Sequence, residues 1–232
     1  MIDLAKKKKK LKVFIGIPNL SDTDHYRSFY SSVINHVKAQ KCPVEMMEPY
    51  KTPPYFGSYR QGDKSKLRAI TDRLNKVIDE FMLTDASHLW IVDGDVQVPT
   101  HALCSLLGLN VDIASGLYAF HNDKYMMMFG RMPDEETYNF APRDYRVFKN
   151  QILGEDFRVG GGNGCMLIRR RVFKRYHPYI KPLRFICPEG RGSDVYFWYL
   201  AQKAGFTARI HGGVLAGHLP EWPLISYEDD LK

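Results

Sequence analysis

The order in which apolar segments follow one another constrains the fold of this chain more than any other feature. A segment with apolar residues at helical spacing, Asp63 to Leu83, leads into the short apolar run His88 to Val92 (HLWIV). That run has the length of a strand buried on both faces rather than of a helix. A helix that feeds such a strand is the repeating unit of a parallel α/β sheet.

The alternation of strand and helix extends over most of the sequence. Further strands are predicted at 12–17, 44–47, 111–117 and 165–168, and further helices begin near residues 24, 100 and 193. Residues 120–160 lose the pattern and form either a hairpin or a mobile flap. Because no repeat or linker divides the chain, we expect a single α/β domain over residues 13–232.

The formal charge of +7 is concentrated at the N-terminus. Residues 1–12 contain six Lys and one Asp, a net +5, which leaves +2 for the other 220 residues. So small a charge argues against nucleic acid as a partner. We expect residues 1–12 to be a flexible tail, in which Lys6–Lys10 is either solvated or in contact with an anionic membrane surface. No apolar run is long enough for a bilayer span, and lysines stand where a signal peptide would need its apolar stretch, so the predicted location is cytoplasmic, with peripheral membrane contact as the alternative.

The triplet Asp93-Gly94-Asp95 follows the predicted central strand. The chain has one other Asp-x-Asp triplet, at residues 22–24, which is explained as a helix N-cap. The triplet at 93–95 lies where open α/β sheets bind ligands, at the carboxyl end of a strand. Two carboxylates around a glycine suit a divalent cation, and such a cation suits the diphosphate of a nucleotide-sugar. The alternative is a polar Asp-Gly turn.

Further motifs follow in a fixed order between residues 12 and 220. They are the first strand ending in Gly16-Ile17-Pro18, then Arg73 and Asn75, HLWIVDGDVQVP, DIASGLYA, GGGNGCMLIRRRVF, GSDVYFWYLAQKAGF and GGVLAGH. In this order the chain resembles small glycosyltransferases of the GT-A fold, especially the inverting family 2 type. The resemblance implies an α/β, Rossmann-like single domain with a mixed, mostly parallel central sheet flanked by helices.

The resemblance also implies which residues bind the donor and the metal. The donor-binding positions are Pro18, Arg73, Asp93 and Gly94. The metal ligands are Asp93, Asp95 and His218, with Asp95 as the principal one. Carboxylates with one imidazole favour Mn²⁺, with Mg²⁺ as the second choice.

Asp194 corresponds in this resemblance to the general base that acts on the acceptor hydroxyl. Its place in the first turn of a helix, after Ser193 as the N-cap, favours the ionised carboxylate. Gly205 is expected to end that helix. Two features depart from the family pattern: Ser193 replaces the usual Glu, and Glu48-Pro49-Tyr50 replaces the acidic end of the second strand.

Two further segments, one glycine-rich and one basic, have no predicted catalytic role. Gly160–Gly164 (GGGNG) lacks the Lys-Ser/Thr of a P-loop and is expected to be a close-packed turn beside the donor sugar and the acceptor. The basic run Arg169 to Arg175 is either a solvated helix face or a site for an anionic acceptor.

The function predicted from these residues is metal-dependent transfer of a single sugar from a nucleotide-sugar, a UDP- or GDP-sugar first, with inversion. The acceptor would be a hydroxyl of a glycan, a lipid-linked molecule or a protein. The Gln-x-x-Arg-Trp motif of processive synthases is missing, which favours a single addition. The alternative is a non-catalytic nucleotide-sugar-binding or scaffold domain. A nucleotidyltransferase is disfavoured, because the first strand ends in IPNLSD and not in a glycine-rich basic loop.

Overall fold

The computed structural model describes residues 11–18, 44–52, 64–94, 96–120, 123–127, 129–131, 143–149, 151–155, 158–174, 182–188 and 192–218. The strands are β1 (Leu11–Ile17), β2 (Val44–Met46), β3 (Tyr50–Lys51), β4 (His88–Val92), β5 (Val96–Gln97), β6 (Ile113–Phe120), β7 (Asp123–Met127), β8 (Phe129–Arg131), β9 (Arg143–Asp144), β10 (Ile152–Leu153), β11 (Val159–Gly161), β12 (Cys165–Arg169) and β13 (Ala208–His218). The helices are α1 (Lys64–Leu83), α2 (Ala102–Gly108), α3 (Arg170–Lys174) and α4 (Ser193–Lys203), and a 3₁₀ helix covers Tyr145–Phe148.

The central sheet has the strand order β10-β13-β6-β12-β4-β1-β2. Strands β13, β6, β4, β1 and β2 run in one direction, and β12 and β10 run in the other. The predicted α/β single domain with a mixed, mostly parallel sheet is therefore confirmed, and its topology is consistent with a Rossmann-like fold of the GT-A type.

Strand β4 lies at the centre of the core, and its side chains alternate between two apolar clusters. Leu89 and Ile91 pack with α1 and α4 on one face of the sheet, and Trp90 and Val92 pack with α2 on the other. All five of its residues are buried, so the strand was correctly predicted from HLWIV. Among the described residues, no helix has the length and apolar character needed to cross a bilayer.

Helix α1 packs so closely on β1 that one strand residue must be glycine. A Cβ on Gly16 would lie 2.1 Å from Cγ1 of Val77. Val77 belongs to the buried face of α1, with Leu74, Ile78 and Phe81. The close approach fixes the helix against the strand that precedes Pro18.

The ends of several elements differ from their predicted positions. Strand β1 begins at Leu11, within the last two residues of the range 1–12 expected to be tail, and residues 1–10 lie outside the described part of the chain. Helix α4 begins at Ser193, but its N-cap is Gly192 in an extended conformation without a side-chain hydrogen bond. The prediction that Ser193 caps this helix was wrong. Gly205 has a φ of +81°, which agrees with the predicted helix end. The helix predicted near residue 24 lies outside the described residues.

The segment 120–160 contains the hairpin that was one of its two predicted forms. Strands β6 and β7 pair antiparallel, with Phe120 opposite Asp123. Strand β7 continues the pairing to β9, and β8 pairs with β11. The described strands of this segment thus extend the main sheet and add a two-stranded ribbon beside it.

The basic run after β12 is not a solvated face at Arg170. Its guanidinium donates hydrogen bonds to the carbonyl oxygens of Phe81, Met82, Thr84 and Ala86. The same group lies 4.3 Å from the centroid of the Phe81 ring. These carbonyls lie at and just after the C-terminal end of α1, where the helix itself supplies no hydrogen-bond donors. Arg170 supplies those donors. Arg170 therefore joins α3 to α1 and is not available to an anionic acceptor.

Arg171 is exposed, but its guanidinium pairs with the buried carboxylate of Asp112. Its Nη2 donates to Oδ2 of Asp112 at 2.8 Å, and the amide and hydroxyl of Thr207 each donate to that carboxylate at 3.0 Å. Burial would raise the pKa of Asp112, but these hydrogen bonds hold it below its ordinary value. The carboxylate thus connects the start of β6 to the start of β13.

Candidate functional site

The carboxyl end of β1 lies beside the carboxyl end of β4. The two strands are parallel with Gly16 opposite Ile91, and extending this register by two residues places Pro18 opposite Asp93. On the other side of β4, the Asp93 amide donates to the carbonyl oxygen of Gly164 at 3.3 Å. Pro18 and Asp93, two predicted donor-binding positions, therefore share one edge of the sheet.

Thr52 holds the end of β1 in place and was not predicted from the sequence. Its amide donates to the carbonyl oxygen of Ile17 at 3.1 Å, and its hydroxyl donates to the carbonyl oxygen of Pro18. Thr52 is 1% exposed and Pro18 is also buried. Thr52 lies beyond the strand predicted at 44–47, and no pattern in the sequence indicated this contact.

The turn after β4 carries the Asp-Gly-Asp triplet. The Val96 amide donates to the carbonyl oxygen of Asp93 at 3.0 Å, which closes a turn over half-buried Asp93 and Gly94. Strand β5 then pairs with β13, so that the backbone of His218 lies opposite Val96. The backbone therefore brings positions 93 and 218 to the same edge, as the metal site requires.

The donor set of the predicted metal site fits a hard divalent cation, since it combines two carboxylates with one imidazole. Asp95 and the side chain of His218 lie outside the described part of the chain. Within that part, no group of three metal-ligating side chains is found. The three ligands therefore stay a prediction, supported by the backbone positions of Asp93 and His218.

Strand β13 reaches this edge through a large bulge. It pairs with β6 up to His211 opposite Gly116 and resumes with Leu215 opposite Leu117, so three residues of β13 are unpaired with β6. The backbone of Gly213 is held on both sides: its carbonyl accepts from Nε2 of His101 and its amide donates to Nδ1 of His211, both at 3.1 Å.

Arg73 and Asn75, the two motif residues on α1, have different surroundings. Arg73 is half-buried and lies one helical turn before Val77, the residue that contacts Gly16 near the end of β1. Asn75 instead donates through Nδ2 to the carbonyl oxygen of Phe185 at 2.9 Å, and its Oδ1 accepts from the Phe185 amide at 3.0 Å. Asn75 is thus a structural residue.

Through Phe185, Asn75 connects α1 to α4, the helix that carries Asp194. The ring of Phe185 stacks on Phe197 of α4, with centroids 4.3 Å apart. Both rings are almost fully buried. Helix α1 therefore positions α4 through the segment 182–188.

The carboxylate of Asp194 folds over the start of α4. Its Oδ1 accepts from the Val195 amide at 2.8 Å, and a Cβ on Gly192 would lie 2.5 Å from the same oxygen. Burial raises the pKa of Asp194 in spite of the backbone amides at the helix start. The amides at the helix terminus favour the ionised form, as expected, but desolvation outweighs them and the net shift of the pKa is upward. The strand register does not relate Asp194 to the edge that contains Asp93.

The glycine-rich segment before β12 is buried throughout, as expected for a close-packed turn. Its first residues lie in β11, where Gln202 of α4 donates to the Val159 carbonyl at 2.6 Å and accepts from the Val159 amide at 3.2 Å. Asn163 is 8% exposed. The turn lies beside Asp93 through the contact with Gly164.

Comparisons with known proteins identify similar folds but no family. No family model matches the sequence, and no curated protein matches it. The solved structure of A197 from STIV is similar, with a TM-score of 0.50 and 16% identity over 91% of this chain and 86% of that chain. This similarity shows a shared fold.

Two further solved structures are more distant. GalNAc-T7, crystallised with UDP, GalNAc and Mn²⁺, has a TM-score of 0.44 and 11% identity over 94% of this chain and 46% of that chain. The inositol-1-phosphate CTP transferase from T. maritima has a TM-score of 0.43 and 10% identity over 91% of this chain and 89% of that chain. At these TM-scores neither similarity indicates a shared activity.

Proposed function

We propose that this protein is a metal-dependent glycosyltransferase that moves one sugar from a nucleotide-sugar to an acceptor hydroxyl, with inversion. The observation that carries the proposal is the strand register, which brings Pro18, Asp93 and the backbone of His218 to one edge of the sheet. In open α/β sheets that edge, outside the carboxyl ends of the strands, is where ligands bind.

The donor would lie along this edge. Pro18 would line the nucleoside pocket, and Arg73 would lie near the nucleotide. Asp93, with Asp95 and His218, would hold Mn²⁺ first and Mg²⁺ second. When bound, the cation would neutralise charge on the diphosphate as it leaves.

Asp194 would be the general base. It would accept the proton of the acceptor hydroxyl while that oxygen forms a bond to the anomeric carbon and the bond to the diphosphate breaks. A raised pKa makes the ionised carboxylate a stronger base than an exposed Asp, and this supports the assignment. The proposed donors are UDP- and GDP-sugars, and the acceptor is a glycan, a lipid-linked molecule or a protein. We further propose a cytoplasmic location with membrane contact through Lys6–Lys10.

The test is nucleotide release from a panel of UDP-, GDP-, CMP- and dTDP-sugars with Mn²⁺, Mg²⁺ or EDTA. It compares the wild type with Asp95→Ala and with a matched control, Asp85→Ala. Asp85 contacts Lys12 at the opposite end of the sheet, where its carboxylate is exposed. We expect metal-dependent release of one nucleotide by the wild type and the control, and loss of release in Asp95→Ala.

Two other results would change the proposal. If no donor binds with any metal, the glycosyltransferase assignment is wrong. If one donor binds but releases no nucleotide with any acceptor class, the non-catalytic nucleotide-sugar-binding domain becomes the better description.

A further inference from the structure

Two histidines hold the bulge of β13 at Gly213. His101 directly precedes α2, and its Nε2 donates to the carbonyl oxygen of Gly213 at 3.1 Å. The Gly213 amide in turn donates to Nδ1 of His211, also at 3.1 Å. Both backbone polar groups of Gly213 are therefore bonded to imidazole rings, at a point where the pairing of β13 with β6 is interrupted.

The residues on either side of Gly213 are packed closely as well. The Gly212 amide donates to the carbonyl oxygen of Gln151 at 2.8 Å, and a Cβ on Gly212 would overlap the carbonyl oxygen of Phe148. A Cβ on Gly116 of β6 would lie 2.6 Å from Cγ1 of Val214. These contacts indicate a bulge of defined conformation and not a loose loop.

The bulge is connected to the turn that carries Asp93. This turn leads into β5, where Val96 lies opposite His218 of β13. The chain then continues to His101, which is bonded to Gly213. The segment after Asp93 is therefore attached to the end of β13 at two points, once through the β5 pairing and once through His101. The conformation of the bulge thus affects the edge of the sheet that contains Asp93.

The hydrogen bond from the Gly213 amide requires a neutral His211. An N–H donor needs the lone pair of Nδ1, so the proton of the neutral ring is on Nε2. A second proton on the ring would remove the acceptor and place an N–H group against the amide. Burial lowers the pKa of His211, and the charge of His101 lowers it further. The ring is therefore neutral at neutral pH, and the bond is made.

Among the described residues, no carboxylate acts on the His211 ring. The residues opposite it in the sheet are uncharged: Gly116 of β6 and Ile152 of β10. The charged or titratable groups on the elements packed against it are all basic: Arg209 on β13, Arg146 and Lys149 in and beside the 3₁₀ helix, and His101 before α2. Positive charge near an imidazole disfavours its protonated form.

We propose that His101 and His211 form a pH-sensitive clamp on the end of β13. With His211 neutral, the clamp holds Gly213 and the segment that runs from it to His218. When His211 takes up a proton, the Gly213 amide loses its acceptor, repulsion from His101 adds to the loss, and the segment is released. The two histidines are positioning residues, because they act on the edge that contains Asp93 through the backbone of Gly213.

The test is amide hydrogen exchange of the full chain without ligand. It gives the protection factors of residues 213–218, relative to those of β4, at about pH 7.5 and 4.5. Strand β4 is buried throughout and reports the opening of the whole sheet. We expect the relative protection of residues 213–218 to fall about 3- to 10-fold at the lower pH, as for the loss of one hydrogen bond.

His211→Asn separates the titration from the contact. Its Oδ1 can accept from the Gly213 amide in place of Nδ1, and the amide side chain does not titrate. We expect protection like that of the wild type at neutral pH and no fall at the lower pH. His211→Ala, which has no acceptor, should give low protection at both pH values. The control is His88→Gln, which removes another buried histidine at the opposite end of the sheet and should keep the fall.

Four results would overturn the proposal. They are unchanged relative protection of the wild type at the two pH values, an equal fall in His211→Asn, protection like that of the wild type in His211→Ala, and disappearance of the fall in His88→Gln. Because the measurement uses no ligand, failure of the proposed sugar transfer would not affect its outcome.

Discussion

The carboxylate of Asp194 is held over the first turn of α4, where burial raises its pKa. The folded chain therefore binds this proton more tightly than the unfolded chain, in which Asp titrates near 3.9. As the pH rises from that value through the folded pKa, the stability contributed by the protonated group is lost. At neutral pH an ionised Asp194 is thus unfavourable for folding, although the proposed reaction needs it ionised.

The first prediction concerns Asp194→Asn. At pH 7 we expect a higher Tm than that of the wild type, and the difference should disappear near pH 4, where the wild-type carboxyl is protonated. Sugar transfer should fall at least about 100-fold, as expected for loss of a general base. Thermal unfolding from pH 4 to 8 and a transfer assay measure both effects.

Asp85→Asn serves as the matched control for this prediction. Its carboxylate is exposed and forms a surface ion pair with Lys12, so Tm should change little at either pH. A lower Tm of Asp194→Asn than of the wild type at pH 7 would contradict the argument from burial.

The lowered pKa of His88 predicts that the protein loses stability as the pH falls below neutral. Burial, and to a smaller extent the charge of Arg169, lower the pKa of His88 to about 4. The unfolded chain takes up this proton near pH 6.5, so stability is lost as the pH falls from there towards 4. We expect His88→Gln, which cannot titrate, to lose about 2 to 3 kcal/mol less than the wild type between pH 7 and 4.5. Urea unfolding at both pH values measures this, and equal losses would contradict it.

For single residues, the sequence predicted the place in a helix or strand better than the groups that surround the side chain. Position 194 could be placed at a helix start from local spacing, but the rise of its pKa depends on burial, which local spacing does not reveal. Arg170 looked like one of several solvated cations, and only the fold brings it to the end of α1. Thr52 was missed because its partner lies 34 residues away.

Among the elements, the contact between β1 and α1 allows a direct test. We expect Gly16→Ala to destabilise the protein by about 1 to 3 kcal/mol, because the new methyl group would overlap Cγ1 of Val77. In a Val77→Ala background the same change should cost less, since the obstructing methyl groups are gone. Urea unfolding of the four proteins of this double-mutant cycle gives the coupling.

Gly108→Ala is the control for the glycine substitution. A Cβ at this position would meet nothing within 4 Å, and Gly108 ends α2. We expect no loss of stability there. An equal loss at positions 16 and 108 would show that the Val77 contact is not the cause.

Elements with a strong local pattern could be predicted and short ones could not. Helix α1 is 20 residues long and has apolar residues at helical spacing, and β4 is apolar along most of its length and buried throughout. Strands β8, β9 and β11 have only two or three residues, and each exists because a distant partner pairs with it. No local periodicity can show such pairing.

Most of the net charge of the whole molecule lies at its N-terminus, and this predicts where anionic partners bind. Lys12 contacts Asp85 at 2.7 Å and belongs to the folded body, so a truncation should stop before Leu11. Removing residues 1–10 removes five Lys and one Asp and leaves +3. We expect unchanged Tm, and loss of the salt-dependent affinity of the full chain for duplex DNA and for vesicles rich in anionic lipid. Binding at about 50 and 200 mM salt measures this.

The outcome of the truncation also separates two kinds of partner. Retention of salt-dependent DNA binding by the shortened chain would contradict the expectation that the body has no nucleic-acid surface. Unchanged vesicle binding would contradict the proposed membrane contact through Lys6–Lys10.

The strand order of the whole sheet could not be derived from the sequence. Strand β12 follows β11 in the chain but lies between β4 and β6, antiparallel to both. This arrangement brings Gly164 beside Asp93, in a segment that the sequence predicted to be a close-packed turn beside the donor sugar and the acceptor. The resemblance implied the fold class, whereas the neighbours of each strand end became clear only from the structure.

The bulge of β13 separates the two halves of that strand. Its first half is held by Asp112 and Thr207, and its last residues lie beside Val96. Residues 212–214 between them do not pair with β6, and the amide of Gly212 instead donates to the carbonyl oxygen of Gln151. Loss or gain of two residues there would bring a different side chain of the same face to the position beside Val96, whereas a change of one would reverse the face. The length of this segment therefore sets which side chain of β13 lies beside the end of β5.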